Sequence, residues 1–104
     1  MHLTLSPMRG LPGQPETTLH VAGDILTING VSFDLSSVPE GGEGHWPDSP
    51  IIGRITRQGG NLHLTVRVVL GDDAASNQPT DPAHWTIPDA DGDVTIPAAR
   101  KEAA

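Results

Sequence analysis

The chain has 104 residues, 13 acidic against 6 basic side chains, a formal net charge of −7, and no cysteine. That length holds one domain, the missing thiols exclude a disulfide framework and a thiolate zinc site, and the negative field disfavours phosphate backbones, so no nucleic acid is expected as a partner. Hydrophobic residues are only 36%, with Gly 12 and Pro 10, so short strands separated by turns are expected around a thin aliphatic core.

Residues 1–7 lack the basic region and apolar stretch of a secretory leader. The longest apolar run, Val68-Val69-Leu70, is far too short to span a membrane. No membrane partner is expected, and the protein is placed in the cytosol where it is made, or in a particle assembled there. Leu3 and Leu5 alternate with polar residues, which predicts an edge strand, and residues 7–16 read as a Pro/Gly-rich loop.

Residues 18–35 carry the strongest pattern. Gly23-Asp24 and Asn29-Gly30 suit two-residue hairpin loops, because Gly and Asn tolerate positive φ. These loops pair Ala22 with Ile25, Val21 with Leu26, Leu19 with Ile28, Ile28 with Val31 and Leu26 with Phe33. Leu19, Val21, Leu26, Ile28, Val31, Phe33 and Leu35 then fall on one face, and His20, Ala22, Ile25, Thr27, Ser32 and Asp34 on the other. A one-residue slip would scramble that sorting, so turn chemistry and hydrophobic pattern agree on a three-stranded meander.

Residues 39–50 read as a loop. Residues 51–70 predict a long hairpin about Gly59-Gly60, with Ile55 opposite Leu64, Ile51 opposite Val68, and a bulge or close backbone approach at Gly53. Arg54 and Arg67 fall on its outer face with His63, and Arg57 lies near the turn; together they form a basic patch on an acidic chain. Residues 71–82 are a further loop, 85–87 and 94–96 short terminal strands, and 98–104 a flexible tail. No internal repeat is evident. The fold class expected is all-β, a small antiparallel sheet of meander plus hairpin, closed as a sandwich or partly open barrel. A single domain over 1–97 follows.

Several residue groups suggest chemistry. Asp89, Asp91 and Asp93 alternate as in the first half of a calcium loop, but Val94 and Arg100 stand where its glycine and bidentate acid belong, leaving a solvated turn as the plainer reading. His45-Trp46 and His84-Trp85 suggest stacking platforms for a sugar or other small ligand, or tryptophans that pin long loops. The five histidines show no metal-ligand spacing, and Ser, His and Asp show no triad spacing. No catalytic residue, metal site or cofactor is therefore expected, and the chain is read as not an enzyme. The outer faces carry apolar Ile25, Ile52 and Val69 beside Arg54 and Arg67, a candidate partner-binding surface. A thin core and open sheet edges add the expectation of a homo-oligomer.

The runs Met1-His2-Leu3-Thr4-Leu5-Ser6-Pro7, Val21-Ala22-Gly23-Asp24-Ile25-Leu26-Thr27-Ile28-Asn29-Gly30 and Phe33-Asp34, followed by Ile52-Gly53 and the hairpin over 54–64, resemble small bacteriophage and prophage proteins encoded among the tail genes of proteobacterial phages. The resemblance fades after Leu70 and carries no site residues. It implies an accessory or structural role through protein–protein contacts, in tail or tail-fibre assembly, with another copy or another phage structural protein as partner. The bacterial cytoplasm or the virion would be its location. The alternative is a small-ligand or carbohydrate-binding module using the loop tryptophans.

Overall fold

Turn chemistry builds the first sheet. β2 (Leu19–Ala22), β3 (Ile25–Ile28) and β4 (Val31–Asp34) follow one another through two-residue loops. Asn29 and Gly30 have φ of 52° and 79°, the pair of left-handed residues that a type I′ hairpin needs. The Asn29 carboxamide oxygen also accepts the Thr18 N–H at 3.0 Å. All five pairings read from the sequence are present. β9 (Gly92–Val94) adds to the far side of β2, giving the order β4-β3-β2-β9. These coordinates are a computed structural model that describes residues 1–47 and 49–100.

The second sheet has the order β5-β6-β7-β1-β8, from β1 (His2–Arg9), β5 (Glu43–His45), β6 (Ile51–Gln58), β7 (Asn61–Leu70) and β8 (Thr86–Ile87). β6 and β7 form the expected hairpin, but its register shifts midway. Near the turn Thr56 faces His63, whereas farther out Ile51 faces Val66, not Val68. Three residues of β6, Gly53 to Ile55, lie against the single Leu64. Gly53, at φ 70°, makes this bulge possible. The shift is even, so Ile51 and Ile55 both stay buried.

β1 is the largest departure from the sequence reading. It is not an edge strand of an antiparallel sheet: it runs parallel to β7 over eight pairs, His2↔His63 to Arg9↔Leu70, and carries β8 on its other side at Leu3 and Thr4. A parallel pair needs a long connection, so no local turn announces it. The loop expected at residue 7 therefore starts after Arg9, and the loop over 39–50 contains β5. The C-terminal pieces are also displaced. Pro82–Trp85 is a turn of 3-10 helix whose first N–H groups are capped by Asp81, and the last strand is Gly92–Val94, ahead of the 94–96 expected.

The molecule is all-β, and its two sheets share one core. Leu19, Val21, Leu26, Ile28 and Leu35 from the meander pack in one cluster with Leu3, Leu5, Ile51, Ile55, Leu64, Val66 and Val68 from the other sheet. Val31 departs from its expected place: it is 58% exposed, at the end of the meander. Arg57 joins the sheets. It points inward from β6, pairs with Asp24 at 3.0 Å, and donates from Nε to the Val38 carbonyl at 2.7 Å. It is therefore no part of a basic surface patch. Ala98 to Arg100 are also anchored: Gln78 brackets Ala99 through both its backbone groups, and Arg100 grips Glu16 at 2.6 Å and Asp73 at 3.1 Å. The Glu16 carboxylate raises the Arg100 pKa further. Ala98 to Arg100 therefore depart from the expected flexible tail, and the rest of that tail, residues 101–104, lies outside the described residues. Among the described residues no helix is long and apolar enough to cross a membrane.

Candidate functional site

The expected partner-binding residues divide between two opposite faces. Ile25 lies on the outer face of the four-stranded sheet and is 39% exposed. Ile52, Arg54, Arg67 and Val69 lie on the outer face of the five-stranded sheet, with both apolar side chains half-buried. The three apolar residues therefore do not form one patch. Val69 is already partly covered by the chain itself. Its N–H and C=O are taken by Thr17, at 2.8 and 3.0 Å, and a side chain at Gly10 would come within 2.7 Å of its Cγ1.

The His-Trp pairs do not form a shared platform either. Trp46 follows β5 and Trp85 precedes β8, which are opposite edges of the five-stranded sheet. Trp85 is 4% exposed and donates its indole N–H to the Pro79 carbonyl at 2.8 Å. It pins its loop. His84 packs edge-on against it, with its Nε2 bonded to the Pro97 carbonyl. Trp46 folds over Gly44, where a Cβ would meet both the indole and Val38 at 3.0 Å. His45 is exposed and lies across from Arg54, so one residue from each expected site meets here. Together with Glu43, Gly44 and Gly53 they line an open cleft of about 520 Å³, in which Arg54 Nη1 donates to Glu43 at 3.1 Å. Asp93, of the acidic turn, pairs with His20 at 2.8 Å. Among the described residues no three His, Asp or Glu side chains converge.

Sheet edges offer the other surface. β5, β8 and β9 are edges of two or three residues, while β4 has four. In the β3–β4 ladder Val31 and Phe33 turn their backbone groups toward β3, so Ser32 and Asp34 turn theirs outward. β4 has no Lys, no Pro and no bulge to blunt it. Asp34 accepts the Ser36 N–H at 3.0 Å, and hydrogen bonding from Ser36 lowers its pKa.

The sequence reading missed the Arg57–Asp24 link and the meeting of His2 with His63. The second had a visible signal. His2-Leu3-Thr4-Leu5 and His63-Leu64-Thr65-Val66 are near-copies, and they pair in register, residue for residue. Comparison with protein families, curated proteins and solved structures finds no match for the chain.

Proposed function

We propose that this protein is a non-catalytic contact module that pairs through the β4 edge, first of all with a second copy of itself. The observation that carries the reading is that edge. Ser32 and Asp34 offer outward N–H and C=O groups, and Val31 beside them is 58% exposed. Strand addition satisfies such groups with a neighbouring chain and covers the apolar side chain in the same step. The resemblance to phage tail-gene proteins supplies the setting, an accessory or structural part used in tail or tail-fibre assembly, with another phage protein as the further partner. The small-ligand alternative has less support, because Trp85 presents no face to solvent.

Ser32→Pro is the direct test. The Ser32 N–H points away from β3, so proline there leaves the meander ladder intact while removing an outward donor. Sedimentation at micromolar concentration is expected to show a dimer or larger species for the natural chain. The variant should be a monomer with unchanged far-UV circular dichroism. A natural chain that stays monomeric, or a Ser32→Pro variant that associates equally well, overturns the reading.

A further inference from the structure

The outer face of the five-stranded sheet gathers donors. Parallel pairing sets His2 beside His63, with ring centroids 4.7 Å apart and planes tilted by 30°. The next pair along the same face is Thr4 with Thr65, and Thr56 lies on the other side of His63. The bulge in β6 places Arg54 next to them. These six residues line an open depression of about 300 Å³ that has no carboxylate in its lining. On a chain of net charge −7 that is an unusual concentration of donors and potential cations.

We infer that this depression is an oxyanion site, for a phosphate or sulfate group. Arg54 is a permanent cation, which opposes a metal ion shared by the two imidazoles and favours an anion. Three hydroxyls and a guanidinium offer hydrogen bonds from three strands to the oxygens of a tetrahedral group. The two imidazoles add ring nitrogens to the same lining. His20 and His84 differ: each has a ring nitrogen bonded within the protein, to Asp93 and to the Pro97 carbonyl. The charged group that lines the depression with His2 and His63 is Arg54 from β6. Glu43 on β5 reaches it only through its pair with Arg54. The site is independent of the β4 edge, which lies on the other sheet.

The test follows the ring C–H resonances of all five histidines during titration with sulfate at constant ionic strength. Sulfate stays a dianion throughout the range used. His2 and His63 are expected to shift together and saturably, with His20, His45 and His84 unmoved. Binding should be tighter at about pH 5.5 than at about pH 7.5. Arg54→Gln should weaken binding at least tenfold without unfolding, since that side chain is 74% exposed, and the isosteric Thr65→Val should weaken it less. Phenyl phosphate separates the sources: tighter binding than sulfate points to a monoester, and equal binding to a free anion. Shifts spread over all five histidines, an Arg54→Gln variant that binds unchanged, or a response to zinc with none to sulfate would overturn the assignment.

Discussion

The two sheets are held together by different kinds of connection. Three strands of the four-stranded sheet lie within residues 19–34, joined by two-residue loops, so most of its pairing is between chain neighbours, and only the short β9 is added from far along the chain. The five-stranded sheet takes its central pair from β1 and β7, sixty-one residues apart in register. Groups from elsewhere tie down the end of β7: Thr17 bonds Val69, and Arg100 clamps Glu16 and Asp73 just beyond it. Closing long loops costs chain entropy before any contact forms. The meander can therefore assemble early on its local turns, whereas the larger sheet depends on the shared core and a few long-range clamps.

The strongest way to break that contrast is to damage the local sheet and look at the distant one. Leu26 is fully buried. Leu26→Asp should cost more than about 4 kcal/mol, through lost packing and an unpaired buried charge. Because the core is one cluster, fluorescence of Trp46 and Trp85, both at the other sheet, should become that of the unfolded chain. Thr27→Asp, with its side chain on the opposite face, should keep native fluorescence. A Leu26→Asp variant with native tryptophan emission would show that the sheets fold independently.

Arg57 tests the clamp between them. Its replacement by Ala leaves the Val38 carbonyl and the Asp24 carboxylate without their partner, which should cost about 2 kcal/mol in urea unfolding. Arg57→Lys should recover only part of this, because one ammonium cannot replace the forked guanidinium. A smaller effect is expected at the bulge. Gly53→Ala meets no steric obstacle, since no atom lies within 4 Å of the added Cβ, but a side chain at φ 70° is strained. The cost should be about 1–2 kcal/mol, and Gly53→Asn should cost less. If Gly53→Ala is neutral, the bulge does not need a left-handed residue. The smallest effect belongs to the meander's edge. The Asp34 pKa is lowered by Ser36, so Asp34 contributes stability above the ordinary carboxyl value of 3.8, and loses it as pH falls through the folded value. Asp34→Asn should flatten that acid limb slightly and leave the thermal midpoint near neutral pH almost unchanged.

The legibility of each region follows from the same physics. Gly23-Asp24 and Asn29-Gly30 encode local pairing, and every meander pair could be read from them. Gly53 gave away the existence of a bulge but not its size, so the partner of Ile51 was misplaced by two residues. For β1 the alternation of Leu3 and Leu5 predicts only an edge strand, because no local turn points to a partner sixty-one residues on. The matching His-Leu-Thr segments were the one available clue. The candidate surfaces fared similarly. Arg54 and Arg67 were placed on the correct face, but the sequence could not show Ile25 on the other sheet, Trp85 buried, or His2 beside His63, since each depends on how distant segments meet.

The parallel pairing of β1 with β7 also has a consequence for synthesis. At about 5–20 residues per second, β7 follows β1 out of the ribosome by roughly 3–12 seconds. During that interval Leu3 and Leu5 have no strand to cover them, although the meander between can already be closed. A nascent chain in this state presents an unpaired apolar strand ahead of a finished hairpin unit. Holding chaperones are expected to bind it there, and to be released once residue 70 has cleared the exit tunnel.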